Sequence, residues 1–166
     1  MARLEVPVQL RWSDMDAYAH VNNVEMLRLL EEARIEAFWR HPEAQDGTRP
    51  DGTWPTAVLD AGPGAQTSTL VARQEIEYLV PLGYRRSPVV VVMWLGHLGG
   101  ASLDVCYEVR DRPAGEDGSV VFARATTTLV LVDTTTGRPR RLGDAERAAW
   151  ARYVEEPVRH RRRPEH

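Results

Sequence analysis

From Leu4 to Trp12 the residues Leu4, Val6, Val8 and Leu10 fall on one parity, with polar or variable residues on the other. That alternation predicts a strand with one buried face. Pro7 lies inside the run and places the strand at a sheet edge or at a bulge. From Asn22 to Arg40 the period lengthens to that of a helix. Met26, Leu30, Ala33 and Ala37 share one face, Leu27, Ile35 and Phe38 widen it, and Glu25, Arg28, Glu32 and Glu36 gather opposite. The pairs Arg28/Glu32 and Glu36/Arg40 have i,i+4 spacing, and Asn22 or Asn23 suits the cap. A helix over this span is roughly 28 Å long, enough to cross a small domain.

Residues His41–Gly64 are rich in Pro, Gly, Asp and Thr and read as a long loop holding at most a short helical turn. Loops of this length commonly cover a site or an interface. Strands are then predicted at Gln66–Leu79, Pro88–His97, Ser102–Arg112 and Ser119–Val132. Pro81–Ser87, Gly99-Gly100 and Pro113–Gly118 supply the turn chemistry between them. A short C-terminal helix is expected from Asp144, as N-cap, to Val154. The order of one strand, one long helix and a meander of four strands predicts an α+β domain. Its long helix would pack on a curved antiparallel sheet of about five to six strands. Residues 1–157 form that single domain, and residues 158–166 a basic tail expected to fray. Exposed strand edges favour pairing between subunits.

Composition narrows the function. The chain has 166 residues, a 43% hydrophobic fraction and a formal net charge of −3, which argues for one soluble domain and against general binding of nucleic acid. Val89–Trp94 and Leu129–Val132 are far too short to cross a bilayer, and Glu5 and Gln9 interrupt any N-terminal signal-like run. A cytoplasmic location is the expectation. Cys106 is the single cysteine, so an internal disulfide and a cysteine-rich zinc site are excluded. The five scattered His show no ligand spacing, and no metal is expected. All 21 basic residues are Arg, which fits a GC-rich bacterial codon usage and excludes a lysine Schiff base.

The chemistry concentrates in Arg11-Trp12-Ser13-Asp14-Met15-Asp16-Ala17-Tyr18-Ala19-His20-Val21-Asn22-Asn23. Two carboxylates, an imidazole and two carboxamides occupy the link between a strand and a helix start. The first N–H groups of a helix lack internal partners and favour negative charge. A carbonyl docked there is stabilised as it becomes an oxyanion, and a carboxylate just upstream can attack it or activate water. Taken singly, each residue is also ordinary capping or turn chemistry.

This stretch resembles the signature of the 4-hydroxybenzoyl-CoA thioesterase-like branch of the hot-dog superfamily, R-[WY]-x-D-x-D-x-x-G-H-V-N-N followed by E-x-A-R. It is carried by Arg11-Trp12, Asp14, Asp16, His20-Val21-Asn22-Asn23 and Glu31-Glu32-Ala33-Arg34. Glu75–Leu82 and the Gly99/Gly100, Ser102, Tyr107-Glu108-Val109 pattern extend the likeness over residues 4–135. Ala19 stands where the family has Gly, so the loop there must avoid positive φ or accept strain. Met26 and Leu29 stand where Tyr is frequent.

The resemblance implies a hot-dog thioesterase that hydrolyses an acyl-CoA or acyl-carrier-protein thioester. Asp16 is its carboxylate, the Asn23 N–H polarises the carbonyl, and His20 and Asn22 shape the site. Asp14 orients the loop. Trp54 is a candidate for lining the pocket. Arg73 is a candidate for the phosphates of coenzyme A, as are Arg85, Arg86 and Arg124. Coenzyme A is then part of the substrate and no separate cofactor is implied. The site would lie between the subunits of a homodimer, itself able to pair into a tetramer. Two other readings stay open: a hydratase or dehydratase using His20, and a hot-dog dimer that binds acyl-CoA without turning it over.

Overall fold

A computed structural model describes residues 2–41 and 54–161. The strands are β1 (Leu4–Val8), β2 (Thr67–Tyr78), β3 (Val89–Leu98), β4 (Ser102–Arg110) and β5 (Val121–Asp133), and the helices are α1 (Asn23–Phe38) and α2 (Asp144–Trp150). The five strands form one antiparallel sheet in the order β1-β3-β4-β5-β2. Together with α1 this is an α+β arrangement consistent with a hot-dog fold.

The alternation read in the sequence sets the two faces of the sheet. Leu4, Val6 and Val8 join Val89, Val91, Met93, Leu95, Val105, Tyr107, Ala125 and Leu129 in one core. Met26, Leu29, Leu30, Ala33, Ala37 and Phe38 of α1 close it from above. β1 is an edge strand, the first of the two placements that Pro7 allows. β3, β4 and β5 form a meander, whereas β2 pairs with β5 and not with its successor β3. β2 is thus the second edge, and it leaves Leu70 and Val71 exposed.

α1 spans 16 residues, three fewer than the periodicity predicts. Trp39 turns to extended backbone and bridges Leu59, and the Arg40 N–H donates to the Leu59 carbonyl at 2.8 Å. Pairing with the returning loop therefore ends the helix. Most of that loop, residues 42–53, lies outside the described residues. α2 begins at Asp144, but its cap is Gly143, whose N–H donates to Glu146 Oε2 at 2.7 Å.

The chain after α2 crosses the face of the sheet opposite α1. The Glu155 N–H donates to the Leu95 carbonyl at 2.9 Å, and Trp94 Nε1 donates to the Glu156 carbonyl at 2.9 Å. His160 Nε2 lies 3.1 Å from Thr126 Oγ1, and the Arg161 N–H donates to Glu77. The predicted frayed tail is therefore anchored as far as Arg161. Residues 162–166 lie outside the described residues.

Candidate active site

The link from β1 to α1 is a folded loop. Trp12–Asp14 forms one 3-10 turn, after which Met15 pairs with Val21 and the Asp16 N–H donates to the His20 carbonyl at 2.8 Å. A turn closes this small hairpin, with the Ala19 N–H on the Asp16 carbonyl at 3.1 Å. Ala19 adopts φ 59°, so the chain accepts the left-handed strain that a glycine would avoid. The loop is seated on the segment after β2 through His20, which bridges Gly83, and through the Val21 N–H on the Leu82 carbonyl at 2.7 Å.

The two aspartates of the loop have different environments. Asp14 is 0% exposed. Its Oδ2 accepts from the Arg11 N–H at 2.7 Å, and its Oδ1 accepts from Arg11 Nε at 3.0 Å and Arg28 Nη2 at 2.8 Å. Burial pushes its carboxyl up, but the Arg11 backbone and side-chain bonds and Arg28 outweigh that and hold it below its ordinary value of 3.8. Every oxygen is committed, so Asp14 fastens the loop.

Asp16 is only half-buried. Its Oδ1 accepts from the Tyr18 N–H at 2.8 Å and the His20 N–H at 3.2 Å. Among the described residues nothing hydrogen-bonds Oδ2. One oxygen thus positions the carboxylate, while the other is free to act as a base or a nucleophile.

Asn22 is the N-cap of α1, and its Oδ1 accepts from the Val24 N–H at 2.9 Å. The Asn23 N–H, at the first helical position, has no acceptor among the described residues and carries the positive end of the helix dipole. Tyr78 Oη donates to the Asn23 carbonyl at 3.0 Å and pins the helix start to β2. Beside it lies a cavity of about 240 Å³ lined by His20, Val21, Met26, Tyr78, Val80 and Leu82.

The sequence matches the family model of the thioesterase-like superfamily over residues 10–152. The chain belongs to this superfamily. Solved thioesterase-superfamily structures share its fold. A thioesterase from Thermus thermophilus, complexed with coenzyme A and Zn, is 28% identical, with a TM-score of 0.63 over 92% of this chain and 95% of the other. A predicted thioesterase from Bacillus stearothermophilus is 23% identical, with a TM-score of 0.68 over 95% and 100%. A thioesterase-superfamily protein from Jannaschia sp. CCS1 is 19% identical, with a TM-score of 0.68 over 93% and 94%. No curated protein matches the sequence.

Against this superfamily background, Asp16, His20, Asn22 and Asn23 are gathered at one end of α1. Trp54 is not among them. It lies against Glu36, with Nε1 donating to Oε1 at 3.3 Å, which is roughly 20 Å along the helix from Asn23. Arg73 sits just past the β-bulge of β2, exposed and paired with Glu75 at 2.9 Å. It is registered opposite Thr128, whose hydroxyl bonds Asp104 on the face away from α1. Within one protomer neither residue reaches the helix start. Arg124 pairs with Glu77 at 2.7 Å on that same far face.

Sequence reasoning missed Tyr78 as the support of Asn23. Its place three residues before Pro81 in the matched second-strand motif was the available signal. Among the described residues no group of three or more His, Cys, Asp or Glu is arranged to hold a metal, and no helix is long and apolar enough to cross a membrane.

Proposed function

We propose that this protein is an acyl-CoA thioesterase, with an acyl-carrier-protein ester as the second thioester class it would accept. The observation that carries the reading is the placement, seven residues apart at the start of α1, of a half-free Asp16 carboxylate and an Asn23 N–H that has no acceptor among the described residues. The thioester carbonyl oxygen docks on that N–H. Water attacks the carbonyl carbon as Asp16 Oδ2 takes its proton, and the carbon–oxygen bond forms. The tetrahedral oxyanion then collapses, the carbon–sulfur bond breaks, and the thiolate leaves with the proton held by Asp16. Direct attack by Asp16, followed by hydrolysis of the anhydride, gives the same acid and thiol for one water consumed. His20 stands at the mouth of the adjoining cavity and Asn22 holds the helix start in place.

Superfamily membership and the likeness to a coenzyme A complex support this reading. In it α1 is the central helix of a hot-dog subunit, and the exposed β2 edge pairs with a second copy to give a homodimer. The protein works in the cytoplasm with no cofactor beyond the coenzyme A of its substrate.

The test is thiol release from short, long and aryl acyl-CoA esters by the native protein and Asp16→Asn. The variant should keep its circular dichroism and assembly while losing at least about a hundredfold in kcat, the scale of a lost general base. Retained turnover in a folded Asp16→Asn protein overturns the mechanism.

A further inference from the structure

Two large aromatic rings stand in the open beside the site. Trp12 is 74% exposed and Tyr84 is 40% exposed, and their rings meet edge to face at 5.2 Å. Touching exposed rings make a contiguous apolar patch, the kind of surface that marks an interaction site. They come from two segments, Trp12 from the loop that carries Asp16 and Tyr84 from the segment after β2. The His20–Gly83 bridge and the Val21–Leu82 hydrogen bond lock those two segments together.

Cations follow directly in the chain. Arg85 makes one side-chain bond, Nε to Ser87 Oγ at 2.9 Å. Among the described residues neither Arg85 nor Arg86 has a carboxylate within ion-pair distance. The Arg86 backbone is fixed by Gln9, whose Nε2 donates to its carbonyl at 2.8 Å. Arg11 is the third guanidinium here, but it is spoken for by Asp14 at 3.0 Å and Glu25 at 3.3 Å. In a chain with a net charge of −3, two unpaired arginines next to a stacking platform are an anion-recognition feature.

We infer that Trp12, Tyr84, Arg85 and Arg86 form the subsite for the nucleotide end of coenzyme A. The adenine stacks on the aromatic pair, and the phosphates lie on the two guanidinium groups. Base stacking on an aromatic ring with flanking arginines is a strong and sequence-tolerant mode of nucleotide binding. Two backbone pairings, from Asp16 to His20 and from His20 to Gly83, separate the carboxylate from this platform. The inference rests on the thioesterase reading and names its thiol carrier as coenzyme A over a carrier protein, which presents the same arm without a nucleotide.

The experiment compares kcat/KM for an acyl-CoA with that for the same acyl group on pantetheine, using the best-hydrolysed acyl chain. Adenosine 3′,5′-bisphosphate is titrated alongside, followed by quenching of tryptophan fluorescence. The native protein should favour the CoA ester by at least about tenfold, and Trp12→Ala should reduce that ratio about tenfold through a higher KM. Trp12→Phe should restore most of it. Arg85→Ala with Arg86→Ala should reduce the ratio and flatten its dependence on salt. Equal use of the two esters, or a ratio indifferent to these substitutions, overturns the subsite while leaving the thioesterase reading intact. Saturable bisphosphate binding with no thiol released from any ester overturns the thioesterase reading and leaves the subsite standing.

Discussion

Asp14 and Arg28 are joined at 2.8 Å, an ion pair that ties the loop before α1 to the second turn of that helix. The same guanidinium also bonds Glu25 at 2.6 Å and Glu32. The loop holding Asp16 is therefore braced from the helix whose first turn it precedes. A carboxylate acting on a bound carbonyl must hold its position to within a fraction of an ångström.

Asp14→Asn should destabilise the fold by about 2 kcal/mol, because it weakens three charge-assisted bonds around a buried carboxyl. The figure is kept low because Arg11 is half exposed and screened by solvent. The pH dependence follows in sign. The folded carboxyl titrates below its ordinary value of 3.8, so its contribution is fully present above about pH 4 and is lost as pH falls through the lower folded value. Urea denaturation of both proteins between pH 7 and pH 3 checks this. The gap between them should narrow at the acid end, and a gap independent of pH would contradict it.

Ala19 is the sequence departure with a visible backbone cost. At φ 59° an alanine is strained by about 1–2 kcal/mol relative to its right-handed form, and a glycine offsets part of that by its extra freedom in the unfolded chain. Ala19→Gly should therefore raise stability by about 0.5–1 kcal/mol, seen as a higher denaturation midpoint at an unchanged m-value. A lower midpoint would show that this backbone is not strained.

Periodicity and turn residues were enough to place every strand and both helices to within a few residues, because one buried face per element is a local pattern. Pro7 narrows β1 to an edge or a bulge for the same reason, and the sheet order makes it the edge. The loop chemistry was legible only through its motif, since each residue alone is ordinary capping chemistry. What stayed hidden depends on contacts between distant segments. The Trp39–Leu59 bridge shortens α1, β2 crosses beyond β5, and Tyr78 supports Asn23 from 55 positions away. Trp54 is a candidate by its place in the long loop and Arg73 by residue type, and neither property says which end of the helix or which face of the sheet the residue reaches.

Gly96 is the extra residue of the β3 bulge, and it makes room for the C-terminal segment. A Cβ there would stand 2.7 Å from Cys106 Sγ, 2.9 Å from Pro157 Cβ and 3.1 Å from Pro157 Cα. The neighbours are a short side chain and backbone, so they cannot yield cheaply. Gly96→Ala should loosen the chain over the sheet and uncover Cys106. Burial now keeps that thiol fully enclosed and pushes its pKa up, so it reacts slowly at neutral pH. Because Cys106 is the single cysteine, its labelling by a maleimide reports the opening directly. The variant should label faster than the native protein, and equal rates would mean that Pro157 does not seal this face.

Arg34 is the buried cation of α1, 3% exposed. Its Nη1 donates to Tyr107 Oη at 3.0 Å, the nearest carboxylate (Glu31) stands 3.7 Å off and exposed, and its Nε has no partner among the described residues. Burial pushes the Tyr107 phenol up, so it stays a neutral acceptor throughout the physiological range. Tyr107→Phe removes the principal bond of a charge that cannot be neutralised, and it should cost about 2 kcal/mol. Arg34→Met combined with Tyr107→Phe should lose less than the sum of the two single changes, because it removes both the cation and its acceptor. Chemical denaturation of the full double-mutant cycle measures the coupling. A Tyr107→Phe protein as stable as the native one would show that the hydroxyl does not carry the charge, and that Arg34 is held by Glu31 alone.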